Sequence, residues 1–221
     1  DYLNLNAERA MAIENPIKLT ITNYDKLGEE VDFEINPNKP ELGSRKITFS
    51  KNIFIENDDF SVNPPPKYFR LKKDGYVRLK NAYIIKCDDF ILNDDGSIKE
   101  VLCTYVPESR SGQDTSGIKC KGTIHWVDAN NYVEAEVRLF DRLFQSESPD
   151  KVEEGKTFLD NLNPDSLKVL ENCKLEKFLA NTKPLDKYQF ERLGYFSTDY
   201  DTKENHLVFN RACTLKDSWN K

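Results

Sequence analysis

Hydrophobic and polar residues alternate along most of this chain. Ile17, Leu19 and Ile21 are separated by Lys18 and Thr20, and Val31, Phe33 and Ile35 by Asp32 and Glu34. A period of two buries one face of a β-strand and leaves the other to water. The spacing predicts a hairpin here, across a turn at 25–30. Asn36-Pro-Asn-Lys-Pro40 then breaks the pattern. Further strands are expected over 47–55, 68–71, 77–90 and 98–105. The last two pair across Asn93-Asp-Asp-Gly96, with glycine where φ must be positive. Strands over 188–196 and 207–215 close the chain.

The stretch 118–144 carries the most regular pattern. Ile118, Cys120, Ile124 and Trp126 interleave with Lys119, Lys121 and His125, while Val133, Ala135, Val137 and Leu139 alternate with Glu134, Glu136 and Arg138. Between them, Asp128-Ala129-Asn130-Asn131 is rich in residues that bond their own backbone. The prediction is a second hairpin, apolar inside and basic at one end. Helix is sparse. Asn6 can cap a turn through 7–13 that Pro16 stops, 163–166 resembles a helix start, and 176–180 reads as a short helix before Pro184. The segment 167–170 suits helix or strand equally. Loops are expected at 106–117 and 145–156, and Pro64-Pro-Pro66 is stiff. Many short strands between closely spaced turn signals mean a sandwich or barrels.

Composition narrows the function. The 221 residues fit one large β domain or two of ordinary size, and 38% hydrophobic content is enough for a core. No apolar run is long enough to span a bilayer. The N-terminal residues lack a basic region followed by an apolar core, so a cytoplasmic chain is expected. Cysteines at 87, 103, 120, 173 and 213 are odd in number and widely spaced, which suits reduced thiols. With only His125 and His206 as further ligands, no metal site is expected. Glycine-rich phosphate loops and a nucleophile elbow are absent. His125, beside Trp126, reads as a structural or surface histidine rather than a base, and Asp88-Asp89 and Asp94-Asp95 as turn residues. No catalytic residue is expected.

The net charge of −6 argues against nucleic acid when taken alone. Its distribution argues otherwise. Lys67, Arg70, Lys72, Lys73, Arg78, Lys80 and Lys86 face a single acid, Asp74, within twenty positions. Acids gather instead at Glu56-Asn-Asp-Asp59, Asp94-Asp95 and 147–154. A chain acidic on average can carry one positive face, although the same run would also suit an ordinary solvated surface.

Gly122-Thr-Ile-His-Trp-Val127 followed by Val137-Arg-Leu-Phe-Asp-Arg-Leu-Phe144 resembles the anticodon-binding region of glutaminyl-tRNA synthetases. The resemblance continues, in the same order, through 15–24, Asn38-Lys-Pro-Glu-Leu-Gly-Ser-Arg45, Asn81-Ala-Tyr-Ile-Ile-Lys86, Leu162-Asn-Pro-Asp-Ser-Leu167 and Gln189-Phe-Glu-Arg-Leu-Gly-Tyr-Phe196. It implies an all-β fold of two six-stranded antiparallel β-barrels, stacked end to end with exchanged N-terminal strands and few short helices. Residues 1–14 would then be a connector helix from a catalytic part, 15–115 a first barrel and 116–221 a second. It implies that Arg45 and Gln189 lie against the middle anticodon base, with Arg192 one step behind. The outer bases would fall near Asn81, Arg110, Lys119 and Lys121. Where many bacterial relatives carry Arg-Lys-Val-Lys, this chain has Ile118-Lys-Cys-Lys121, so one basic residue is lost.

The partners implied are the anticodon loop of tRNA(Gln) and a catalytic domain of the same polypeptide, in a monomer. No cofactor belongs to this region. ATP would serve the parent enzyme elsewhere, since the HIGH- and KMSKS-type motifs do not occur in these residues. The nearest alternative is the matching region of an archaeal- or eukaryotic-type glutamyl-tRNA synthetase, against which Arg45 and Gln-Phe-Glu-Arg favour glutamine. A protein-interaction β-barrel module and a self-contained enzyme are the readings from other classes.

Overall fold

The computed structural model describes residues 2–215. Two seven-stranded sheets hold most of them. The first runs, in spatial order, Thr123–Ile124, Tyr76–Leu79, Ile84–Leu92, Ile98–Tyr105, Pro16–Ile21, Asn52–Glu56 and Val127–Asp128. The second runs Glu8–Ala10, Lys187–Phe190, Gly194–Thr198, Leu207–Thr214, Tyr132–Phe140, Leu167–Glu176 and Ala12–Ile13. One is nearly barrel-shaped and the other a half-barrel. A two-stranded ribbon, Glu29–Glu34 with Ser44–Phe49, completes the set.

The exchange of strands is present in both directions. Glu8–Ala10 and Ala12–Ile13 join the C-terminal sheet, while Thr123–Ile124 and Val127–Asp128 join the N-terminal one. Each sheet thereby has seven strands where six were expected, and four of the pairings are parallel. A strand arriving from a distant part of the chain is not held by a hairpin turn, so either direction is open to it.

Several expected elements differ, for one recurring reason. Residues 7–13 are not helical; the one α-helix among the described residues is Tyr2–Asn6. The two short strands that follow pass between the cores, so Ala10 and Ala12 pack into the second hydrophobic cluster while Met11 and Ile13 pack into the first. A strand buried on both faces reads as an unbroken apolar run, which periodicity cannot distinguish from a buried helix. The expected hairpin over 17–35 does not form either. Pro16–Ile21 has both edges occupied by Asn52–Glu56 and Ile98–Tyr105, leaving Glu29–Glu34 to pair with Ser44–Phe49. The 118–144 hairpin is divided: its first half supplies edge strands to one sheet and its second half a central strand to the other. Residues 68–71 make only an isolated bridge, Phe60 to Leu71. No helix starts at Asn163, and Leu167–Glu176 resolves as strand. The last expected strand, 207–215, forms as Leu207–Thr214.

Each sheet closes on its own core. The first gathers Tyr24, Phe49, Tyr83, Tyr105 and Trp126, with Phe49 and Trp126 edge-to-face at 5.1 Å. The second stacks Phe190 on Phe196 at 4.3 Å, with Phe209 and Tyr188 alongside. All five cysteines are free thiols.

Candidate nucleic-acid interface

The basic run between Lys67 and Lys86 is mostly neutralised within the fold. Arg70 pairs with Asp59 at 3.3 Å, Lys73 with Asp89 at 3.1 Å, Lys80 with Glu191 at 3.0 Å and Lys86 with Asp74 at 3.5 Å. Arg78 pairs with Asp114. That leaves Lys67 and Lys72, which have no carboxylate partner among the described residues; neither do Lys119 and Lys121. All four unpaired lysines line a single cleft of about 630 Å³ that contains no acidic residue. A net-negative protein thus concentrates positive charge in one concavity, where a polyanion would be focused.

The cleft is also aromatic. Phe69 is 51% exposed and Tyr76 42% exposed, both on its wall. The ammonium of Lys121 sits 5.1 Å from the centre of the Phe69 ring, a cation–π distance. Lys67 holds φ at 63°, a left-handed conformation that a lysine rarely adopts. The residue after Pro66 is therefore bent out of the direction the prolines impose.

Arg45 lies elsewhere, at the crossing of the two sheets. It belongs to the ribbon strand Ser44–Phe49 and reaches across to Glu176, which is only 5% exposed. The guanidinium grips that carboxylate with Nε at 2.9 Å and Nη2 at 2.7 Å, and Nη2 also donates to the Arg9 carbonyl at 2.7 Å. Its plane stands over Phe178, with Cζ 4.0 Å from the ring centre. Glu176 in turn accepts the Met11 N–H at 2.7 Å, beside the exchanged strands. Burial raises the Glu176 carboxyl above its ordinary value, and Arg45 offsets part of that rise.

Gln189 is close to this cluster through Arg9, its partner in the parallel register of Glu8–Ala10 with Lys187–Phe190. Gln189 Oε1, Arg9 Nη1 and Arg45 Nη1 are all buried without a protein partner. Unsatisfied buried polar atoms are uncommon, and here one acceptor and two donors belong to neighbouring elements. Sequence reasoning misses Arg9. Its signal is a cation inside the apolar run Ala7-Glu-Arg-Ala-Met-Ala-Ile13.

Arg192 is separate again. At φ 68° it turns its fork onto Asp59, at 2.6 and 2.7 Å, and its Nη1 lies 3.1 Å from His125 Nδ1. Arginine cannot accept, so Nδ1 accepts and the proton of the fully buried His125 sits on Nε2, facing the Ala12 carbonyl at 2.8 Å. This clamp ties the C-terminal sheet to the N-terminal one. Asn81 and Arg110 meet the same strand: Asn81 Nδ2 donates to the Asp32 carbonyl at 3.0 Å, and Arg110 Nη1 to Glu29 at 2.6 Å. The sequence-predicted residues therefore fall into four places, with Lys119 and Lys121 in the cleft.

Glu14 adds a titratable group beside the Arg192 clamp. Burial first, and the nearby Glu56 carboxylate second, push it from 4.5 to about 7. For a raised carboxyl, folding stability is full below the unfolded value and is lost as pH rises through the folded one. Glu14→Gln should thus raise stability above pH 7, by at most about 3 kcal/mol, and change little at pH 4. Urea melts of both proteins at the two pH values check this; an equal effect at both would show that Glu14 is not held protonated.

Two models of the class I (E and Q) tRNA synthetase anti-codon binding domain match this chain, over residues 7–106 and 123–199. The chain belongs to this family. It is 48% identical over 222 residues to the glutamine–tRNA ligase of Rhodopirellula baltica, covering 100% of this chain and 37% of that protein. The glutamine–tRNA ligases of Pseudomonas syringae pv. tomato and Clostridium perfringens are each 47% identical over 221 residues, covering 99% and 98% of the chain. These relatives are longer, and the chain spans 38% and 39% of the latter two. In this anticodon-binding region, Arg45, Lys67, Phe69 and Lys72 lie in the first matched segment, and Gln189 and Arg192 in the second. Lys119 and Lys121 stand in the link between them. No helix among the described residues is long and apolar enough to cross a membrane.

Proposed function

We propose that this chain holds the anticodon loop of tRNA(Gln) for a glutamine–tRNA ligase. A catalytic domain of the same polypeptide, acting on ATP and glutamine, performs the ligation. The chain works as part of a cytoplasmic monomer and brings no cofactor of its own; residues 15–115 and 116–221 approximate its two barrel units. The observation that carries this reading is the pair of anticodon-binding matches, together with an acid-free cleft whose four unpaired lysines lie in the first match and in the link that follows it. Anticodon binding at a distance from the chemistry would act as a coupling free energy between two sites.

Titration with tRNA(Gln) at two salt concentrations tests it. Phosphate contacts make affinity fall steeply with salt, and a salt-independent or undetectable interaction would refute the reading. The division of labour is also testable. Gln189→Ala should weaken tRNA carrying the native anticodon by about 1–3 kcal/mol, with less effect once the middle base is changed. Lys121→Ala should weaken both tRNAs alike and flatten the salt dependence. Equal losses on both tRNAs for Gln189→Ala would remove it from the base readers.

A further inference from the structure

We propose that Cys87 and Cys103 form a redox site. A peroxide joins the two thiols as a cross-strand disulfide, a thiol reductant releases them, and closure displaces one wall of the lysine cleft. The chemistry is independent of the RNA-binding reading above; its consequence for binding rests on that reading.

The register brings the two thiols together. Cys87 on Ile84–Leu92 stands directly opposite Cys103 on Ile98–Tyr105 in an antiparallel pair. The Cys87 N–H donates to the Gly75 carbonyl at 3.1 Å, and its carbonyl accepts the Asp74 N–H at 2.9 Å. The Cys103 carbonyl accepts the Thr22 N–H at 2.7 Å. The two cysteines therefore exchange no backbone hydrogen bonds with each other. Such a pair brings its Cα atoms to about 4.5 Å, inside the roughly 4.4–6.8 Å that a disulfide spans. Opposite residues point to one face of a sheet, and both side chains are fully buried in the first core. The strand cysteines elsewhere have no such partner: Cys173 stands opposite Ala135 and Cys213 opposite Tyr195.

The pair is also asymmetric. A hydrogen bond with the Cys103 thiol holds Cys87 below the ordinary thiol value, against burial and the charges of Asp88, Asp89 and Asp74. Burial pushes Cys103 well above it. The thiolate is the attacking form, so Cys87 reacts first. Its sulfur attacks one peroxide oxygen, giving a sulfenic acid and hydroxide. The Cys103 sulfur then attacks the Cys87 sulfur, and the sulfenic oxygen leaves as water. The two thiols give up two electrons and two protons, and the peroxide becomes two waters. Cys87 also lies where the sheet opens most readily. A bulge interrupts the ladder between Cys87 and Asp89, and residues 72–74, in the turn that caps Cys87, are exposed. Cys103, by contrast, is held between Pro16–Ile21 and Ile84–Leu92. Cys87 is thus the sulfur that moves, and its backbone carries Asp74 and Gly75 with it. Gly75 and Lys72 line the cleft, so closure of the disulfide reaches that wall.

The test uses the whole chain carrying Cys120→Ser and Cys213→Ser, which removes the two cysteines that reach solvent and leaves three of the five. Hydrogen peroxide in native buffer should consume two of those three thiols and remove the mass of two hydrogens. Peptide mapping should show Cys87 joined to Cys103, and dithiothreitol should restore both thiols. Cys87→Ala or Cys103→Ala, added to the same chain, should abolish the link; the mapping itself needs neither variant. The oxidised chain should bind tRNA(Gln) roughly 5-fold or more weakly than the reduced chain, and regain its affinity on reduction. Both thiols staying reduced in native buffer, joining only in urea, or gaining oxygen without a link would overturn the redox site. A disulfide that forms without changing tRNA(Gln) affinity would refute the effect on the cleft. If the reduced chain does not bind tRNA(Gln), the anticodon reading and the consequence for the cleft fall together, while the thiol count still decides the redox site.

Discussion

Arg45→Ala should lower the unfolding free energy by about 3–5 kcal/mol, the range for stranding one partner of a buried ion pair. Glu176 is 5% exposed, and the Arg45 side chain 14%, so water does not replace the missing guanidinium. The same substitution removes the Arg9 carbonyl's partner and the cation over the Phe178 ring. The deficit should depend on pH in a defined direction. Burial already raises the Glu176 carboxyl, and Arg45 is the largest influence holding it down. Without Arg45 the carboxyl rises further. A raised carboxyl gives stability that is present at low pH and lost as pH climbs through the folded value, so the variant's deficit should grow from pH 5 to pH 8. Adding Glu176→Gln to Arg45→Ala should recover part of it, because a buried amide is less costly than a buried unpaired charge. Urea unfolding of the single and double variants at both pH values measures each step. A deficit below about 1 kcal/mol would mean the pair is screened like a surface bridge. This structural duty also governs how binding data are read: weaker tRNA binding by Arg45→Ala reports on bases only under conditions where the variant is shown to be folded.

The sequence displayed the strands more clearly than their partners. Alternation placed Pro16–Ile21, Glu29–Glu34, Ile98–Tyr105 and Tyr132–Phe140 within a residue or two, because each has one buried and one wetter face. Pairing was less legible. Hairpin reasoning joins neighbours in sequence, whereas here Ala12–Ile13 pairs with residues near 174 and Val127–Asp128 with residues near 53. Nothing in a local pattern signals a partner that distant. The same limit applied to charge. The run from Lys67 to Lys86 looked like one positive face, but Asp59, Asp89, Asp114 and Glu191 approach from other elements and neutralise most of it. What remains positive is a smaller set, Lys67 and Lys72, joined by Lys119 and Lys121 from a segment some fifty positions further along. The motif resemblance supplied the family, which the match over both segments then showed. It did not disclose that Arg45 and Arg192 are bound to Glu176 and Asp59.

Gly122→Ala should both destabilise the protein and disable the cleft. A methyl group at Gly122 would lie 1.8 Å from the Phe69 carbonyl oxygen and 3.3 Å from Val77 Cγ2. The first clash is with backbone, so no rotamer change relieves it. Neither wall is free to retreat. Withdrawing Phe69 pulls on Leu71, which is fully buried and hydrogen-bonded to Asp59 and Ser61. Shifting Gly122 breaks its bond from Arg78 and strains the next one, from Lys80 N–H to the Ile124 carbonyl at 2.9 Å. The stability deficit should reach or exceed the roughly 1–3 kcal/mol typical of overpacking. A second glycine separates this cause from ordinary glycine conformational freedom. Gly112 has φ at +80° and nothing within 4 Å of an added Cβ, so Gly112→Ala should suffer only the left-handed backbone penalty of roughly 1–2 kcal/mol. Binding should also separate the two. At a temperature where both variants are folded, Gly122→Ala should bind tRNA(Gln) less tightly, because displacing Phe69 moves its wall of the cleft away from Lys119 and Lys121. Gly112→Ala, in the loop before the cleft, should bind as wild type. If Gly122→Ala melts and binds like the parent protein, the two walls are not held at the distance the structure gives them, and the fixed cleft between them is lost with it.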